Sequence, residues 1–243
     1  MKKRTLLILG ASGLIGGGLF KKFSNKDYDI LGCDLKRNKA NNGTFYKTDA
    51  SKENDLKKLI KKIDKKYRNI DVVINAIYPS QAKIKKSFFK QSKEDFLLKV
   101  NFHLGINFLI NKIFINYFLR KKIKGNIIHI SSIYGSFIPR FEIYKNQKFT
   151  MPLDYLVAKS SVDYCTKYLS KMLLGSRIVI NNVSPGGIFD KHNKNFVRAY
   201  SKFTNNKSML KVDDIFGVIN FLASLQNSKI TGQNFIVDDG FSL

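Results

Sequence analysis

Short, almost wholly apolar runs alternate along this chain with longer segments whose apolar positions recur every three to four residues. Residues 5–9, 29–33, 44–47, 71–75, 126–130, 177–183 and 234–237 read as seven strands. Helical spacing marks residues 14–23, 155–174 and 212–225, and residues 95–122 as one long helix or two joined ones. Residues 52–67 form a basic amphipathic helix with Leu56, Leu59, Ile60 and Ile63 on one face. Strands apolar on both faces and separated by helices predict an α/β architecture. The expectation is a doubly wound Rossmann-type domain, a seven-stranded parallel sheet with helices on both faces. There is no internal repeat and no Pro/Gly/Ser-rich linker, so residues 1–243 read as one domain.

Composition narrows the classes. The formal net charge of +25 invites a nucleic-acid reading, but lysine supplies 36 of the 43 basic residues and arginine only seven. The lysines spread along the whole chain beside abundant Asn and Ile, which is compositional drift rather than a binding patch. No specific nucleic-acid partner is expected; a positive surface still helps steer anionic ligands. Cys33 and Cys165 read as buried free thiols, which suits a reducing compartment. The basic start followed by an apolar run reads as a strand entering a glycine turn, not a leader. The longest other apolar stretch, 104–119, is broken by Asn107, Asn111, Lys112 and Asn116. A cytoplasmic protein without a membrane segment is expected.

The chemistry lies in two motifs. Gly10, Gly13 and Gly16 fall between the first strand and first helix, where the backbone can approach a pyrophosphate and the helix N-terminus can aim N–H groups at it. Asp34 follows the second strand, placed to accept hydrogen bonds from adenosine ribose hydroxyls and to repel a 2′-phosphate. NAD is therefore expected over NADP, although Lys36 and Arg37 follow closely. Asp49, after the third strand, reads as an adenine contact or a turn cap. Tyr155 and Lys159 stand at i and i+4 on one helix face. A free tyrosine titrates near pH 10, and a neighbouring cation should lower that value towards a useful acid/base range. His103, His129 and His192 have no metal-binding spacing, and no metal is expected.

These residues, together with Asn75-Ala76, Asn101, Ser132 and Pro185-Gly186, give the chain a resemblance to the short-chain dehydrogenase/reductase family over essentially its full length. The resemblance implies that Tyr155 exchanges the substrate proton and that Lys159 holds the nicotinamide ribose and depresses the tyrosine pKa. It further implies that Ser132 hydrogen-bonds the reacting oxygen and Asn101 holds a relay water, with Ser131 structural. The implied NAD contacts are Gly10, Ser12, Gly13, Leu14, Ile15, Gly16, Asp34, Asp49, Ala50, Asn75, Ala76, Ile77, Tyr155, Lys159, Pro185, Gly186 and Ile188. Departures occur at Leu14, where simpler reductases usually carry glycine, and at Asp190, where a threonine commonly contacts the carboxamide.

Between Ser132 and Tyr155 the chain is about ten residues longer than is common in the family. The insertion carries Tyr134, Arg140, Tyr144, Lys145 and Lys148, a set able to grip a sugar ring and a phosphate. The strings SSIYGSFIP, PLDYLVAKS and SPGGIFD resemble a narrower group of oxidoreductases found with flagellin-modification and nonulosonic-acid or other surface-sugar pathways. The expectation is an NAD-dependent oxidoreductase interconverting a secondary alcohol and a ketone on a sugar phosphate or nucleotide sugar, working as a homodimer or homotetramer. A dehydratase or epimerase with transient cofactor reduction, and a nucleotide-binding accessory protein without turnover, are the alternatives.

Overall fold

A computed structural model of the chain describes residues 3–23, 27–37, 43–78, 88–145, 147, 149–224 and 229–243. Seven parallel strands form one sheet: β1 (Arg4–Leu9), β2 (Tyr28–Asp34), β3 (Thr44–Lys47), β4 (Val72–Asn75), β5 (Gly125–Ile130), β6 (Ile178–Pro185) and β7 (Asn234–Val237). Their spatial order is β3-β2-β1-β4-β5-β6-β7. The helices are α1 (Leu14–Lys22), α2 (Glu53–Tyr67), α3 (Lys93–Lys121), α4 (Leu153–Met172), α5 (Lys194–Ser201) and α6 (Val212–Ala223).

Alternation along β1 shows why this sequence makes a two-faced core. Leu7 and Leu9 pack with Leu56, Ile60, Ile110 and Phe114 of α2 and α3. Leu6 and Ile8 pack on the opposite face with Leu19, Ile215 and Ile219 of α1 and α6. Because successive strand side chains point to opposite faces, each strand of the sheet centre needs apolar residues at every position.

The register fixes the site. Leu9 pairs with Cys33 on one side and Asn75 on the other, so the residues that follow β1, β2 and β4 emerge together at the C-terminal edge. The chain order reverses there, between β1 and β4, which opens the crevice where such sheets bind ligands.

Four details differ from the sequence expectation. The 95–122 segment, expected as one long helix or two joined ones, is one continuous helix, but it starts two residues earlier at Lys93, with Ser92 accepting from Asp95 N at 3.1 Å as its cap. Cys165 is exposed on α4, while Cys33 is buried. The α5 helix was not legible: Asn193 caps it through Phe196 N at 2.9 Å, but only eight residues carry its period. Helix α6 ends at Ala223, and residue 225 lies outside the described residues.

Candidate active site

The C-terminal crevice contains a cavity of about 950 Å³ that runs from the glycine turn after β1 to the aromatic side chains beyond α4. At one end Gly10 has φ +81°, a left-handed conformation that favours glycine, and a Cβ there would stand 2.7 Å from the Ala76 carbonyl oxygen. Gly16 does not line the cavity; a Cβ on it would run into the Gly10 carbonyl, so it serves the close packing of α1 under the turn. Gly13 caps α1 without a side-chain bond, and the first turn holds no acidic residue. The orphan N–H groups and positive end of α1 therefore remain available to an anion beside Ser12, Leu14 and Ile15, which line the cavity.

Asp34 lines the same end. Its carboxylate accepts from Ser12 N at 2.9 Å and Leu35 N at 2.7 Å, which fixes it toward the turn with further lone pairs open. Arg37 is turned away: Nη2 donates to Gly43 O at 3.3 Å and the guanidinium lies 5.9 Å from the Phe45 ring centre. Lys36 does line the cavity. Asp49 lines it with Ala50 and also acts as a turn cap, taking Ser51 N at 3.0 Å and Ser51 Oγ at 2.6 Å. Ala76 and Ile77 line it, whereas Asn75 is buried beneath them. Asn75 Nδ2 donates to Asn107 Oδ1 at 3.0 Å and to His129 Nδ1 at 3.1 Å. His129 in turn reaches Asn111 Oδ1 at 3.0 Å, so this histidine is a satisfied core residue.

In the middle of the cavity Ser132, Tyr155 and Lys159 converge. Lys159 is buried; Nζ donates to Ile130 O at 2.9 Å and lies 5.7 Å from the centre of the Tyr155 ring. Burial lowers the Lys159 pKa to about 8, opposed by the Asp163 carboxylate. Tyr155 does not follow the expectation of a lowered pKa. Burial raises it, and only the hydrogen bond with Ser132 pulls it down. The ammonium faces the ring and is tied to a backbone carbonyl, so it does little at the phenol oxygen. Ser131 Oγ donates to Asp163 Oδ1 at 2.7 Å, and Asp163 also receives Asn182 and Asn234, making Ser131 part of a buried scaffold.

Asn101 lies on the exposed side of α3 and does not line the cavity. Phe102 and Ile106 are the α3 side chains that line the cavity, and His103, which sequence reasoning gave no role, packs behind Tyr155. This histidine is 3% exposed, with its ring centre 6.0 Å from that of Tyr155 and 5.3 Å from that of Tyr78. Burial, aided by the charge of Lys159, lowers its pKa to about 4.

The far end is aromatic. Tyr134, Tyr144, Phe149, Phe196 and Tyr200 line it, with Tyr134 and Tyr144 joined through their hydroxyls at 3.0 Å. The expected phosphate grip is not assembled. Arg140 faces away, its Nε donating to Phe241 O at 3.2 Å and its Nη2 bonded to Leu243 O. Lys145 is exposed, and Lys148 lies outside the described residues. Pro185, Gly186 and Ile188 line the cavity after β6, with Asp190 exposed at its rim. Among the described residues no group of three His, Cys, Asp or Glu side chains is placed to hold a metal ion. The cavity thus fits an extended ligand with an anionic centre and a diol-bearing end, set against a tyrosine and a buried ammonium.

The chain resembles known proteins over essentially its full length. The family profile described as enoyl-(acyl carrier protein) reductase matches residues 11–242. A post-translational flagellin modification protein A from Campylobacter coli is 33% identical over 262 aligned positions, covering 100% of both chains. A 3-oxoacyl-[acyl-carrier-protein] reductase from Thermotoga maritima is 25% identical over 99% of this chain and 98% of its own. A crystal structure of a short chain dehydrogenase from Leptospira borgpetersenii with bound NAD+ superposes with a TM-score of 0.89 at 26% identity, covering 100% of this chain and 94% of the other.

Proposed function

This chain belongs to the short-chain dehydrogenase/reductase family of NAD(P)-dependent oxidoreductases, and on that premise we propose that it interconverts a secondary alcohol and a ketone on a sugar-like substrate, using NAD(H). The observation that carries the proposal is the convergence of Ser132, Tyr155 and Lys159 in one cavity with the glycine turn.

When bound, the nicotinamide supplies or accepts the hydride. The chain's own residues handle the proton. In the reducing direction the Tyr155 hydroxyl donates its proton to the substrate oxygen, and the Ser132 hydroxyl donates a hydrogen bond to that oxygen as charge develops. Lys159, charged below about pH 8, would hold the nicotinamide ribose. Since burial raises the Tyr155 pKa, the phenol is well protonated at neutral pH and suited to act as the acid. The reverse reaction needs the positive charge of the oxidised cofactor to favour phenolate.

Three further readings belong to this proposal. Asp34 takes the adenosine ribose hydroxyls and disfavours a 2′-phosphate, while Arg37 is engaged with Phe45 and Gly43, so NAD is preferred. The substrate ring lies against Tyr134, Tyr144, Phe149, Phe196 and Tyr200, an apolar wall with a few hydroxyls that suits the faces of a sugar. A relative named for flagellin modification is in keeping with a sugar-like substrate, which this proposal takes to be a nucleotide sugar or sugar phosphate. Exposed Leu97, Leu98 and Phe108 on α3, with Tyr164, Tyr168 and Met172 on α4, leave an apolar face that a second copy covers in a homodimer or homotetramer.

The test is NADH oxidation at 340 nm with a panel of free, phosphorylated and nucleotide-linked keto sugars. The proposal expects turnover with at least one of them, and a loss of about a hundredfold or more in Tyr155→Phe with NADH binding retained. Wild-type rates in Tyr155→Phe would refute the acid/base role.

A further inference from the structure

The segment 238–243 is folded back into the molecule and held at several points. Asp238 accepts from Gly240 N at 3.1 Å and Ser242 N at 2.8 Å, closing a turn that delivers Phe241 inward, where it is 2% exposed. Asp239 takes Asn206 N at 2.8 Å and Nδ2 at 2.7 Å, tying the same turn to the loop after α5.

Phe241 stacks on Tyr200 of α5 with ring centres 4.1 Å apart and planes only 6° off parallel. The Arg140 guanidinium stands 5.7 Å from the Phe241 ring centre and 4.5 Å from that of Phe203. Arg140 also bonds the backbone carbonyls of Phe241 and Leu243. Two of its five N–H donors are committed to these carbonyls and its plane meets two rings, which hold the guanidinium away from the cavity lining.

The stack continues to the cleft. Tyr200 Oη accepts from Gly187 N at 2.6 Å. A Cβ on Gly187 would come within 2.9 Å of the Tyr200 ring and of Met209 Cε, and one on Gly186 within 2.9 Å of Tyr200 Oη. The backbone of 186–187 is thus seated directly on the phenol. Gly186 N donates to Val237 O at 2.9 Å, and Gly187 O accepts from Leu210 N at 3.0 Å, so the 238–243 segment and this loop hang from one strand edge.

We propose that Arg140, Phe241 and Tyr200 form a strut from the insertion loop, through the 238–243 segment, to the Pro185–Ile188 loop, and that this strut positions the nicotinamide end of the cofactor cleft. Arg140 and Tyr200 are positioning residues in this scheme, since neither side chain needs to touch the cofactor. The inference rests on the reading of the cavity as a dinucleotide site. It explains why the one arginine of the insertion is spent inward: the substrate wall and the cofactor loop are built as one body.

The test compares two ligands that share the adenosine half. NADH spans the whole cleft, whereas ADP-ribose ends before the nicotinamide. Tyr200→Phe keeps the stack on Phe241 and removes only the hydroxyl; Arg140→Met keeps a linear side chain and removes the cation. Both variants are expected to weaken NADH binding about three- to tenfold, the worth of one hydrogen bond, with ADP-ribose affinity within about twofold of wild type. Arg140→Lys, which retains charge but not the fork, should recover only part of the loss. Unchanged NADH affinity in Tyr200→Phe would overturn the strut, and so would parallel losses for both ligands. Wild-type protein that binds neither ligand would remove the cofactor reading itself, and the strut with it.

Discussion

The rings of His103 and Tyr155 meet edge to face, with centres 6.0 Å apart and planes at 74°. Its Nε2 is buried without a hydrogen-bond partner, and its pKa is lowered to about 4 by burial and by Lys159. The imidazole beside the phenol is therefore neutral across the physiological range, and it adds no second cation to the one Lys159 supplies.

A pH dependence of stability follows. His103 and His129, the latter lowered to about 3, bind protons in the unfolded chain below about pH 6.5 but not in the folded one until much lower pH. Between those values the unfolded state holds more protons, so stability falls as pH drops through 6.5 towards 4. Each buried ring contributes on the order of 3 kcal/mol to that loss. Denaturant titrations of His103→Met from pH 7.5 to 4.5 should show a shallower decline than wild type; an identical slope would contradict the neutral, buried assignment.

Lys159 gives the opposite limb. With a folded pKa of about 8, it loses its charge as pH rises through that value, and reduction of substrate should fall there. Asp163 is the carboxylate that opposes the lowering, so Asp163→Asn should move the descending limb of kcat to lower pH. A limb that moves upward or stays fixed would show that another group controls it.

In the proposed function, cofactor choice hangs on Asp34. Asp34→Ser removes the ribose acceptor and the repulsion towards a 2′-phosphate, and Lys36 remains in the cavity to pair with one. NADH affinity should drop about tenfold while NADPH affinity rises, read by nicotinamide fluorescence. If the preference of the variant matched wild type, Asp34 would not be the discriminator.

The entrance of α4 is held by a buried ion pair. Lys99 Nζ lies 3.6 Å from Asp154 Oδ2, both side chains 2% exposed, and 3.2 Å from Asp95, which is 20% exposed. Asp154 directly precedes Tyr155, so this pair holds the start of α4, and with it the proposed acid/base residue, against α3. Removing Lys99 leaves the buried Asp154 carboxylate without its cation, with the Gln91 amide still donating to it, and Lys99→Met should cost about 3 kcal/mol in chemical denaturation. Asp95→Asn should cost about 1 kcal/mol or less because water reaches that partner. Equal losses would mean that Asp154, and not the lysine alone, has another source of compensation.

Much of this was legible in the sequence, for identifiable reasons. The strands stood out because both faces of a central parallel strand are apolar, and the glycine turn because Gly10 needs its left-handed backbone. Ser132, Tyr155 and Lys159 were readable through a short, local spacing. Asn101 and His103 differ by two positions, about 200° around a helix, and family pattern alone pointed to the exposed one. Arg140 was read as a substrate ligand because its true partners, Phe241 and Leu243, stand 101 and 103 residues away along the chain. Helical periodicity has no access to such contacts, nor to the burial that raises the Tyr155 pKa where a neighbouring lysine suggested lowering.

The most direct measurement is a fluorescence titration of the purified wild-type protein with NADH and with NADPH. The sequence contains no tryptophan, so protein emission interferes little with the nicotinamide signal. Saturable micromolar binding of NADH, with NADPH at least about tenfold weaker, is the expected result. Failure to bind either nucleotide would contradict the central claim that this cavity is a dinucleotide site serving Tyr155 and Lys159.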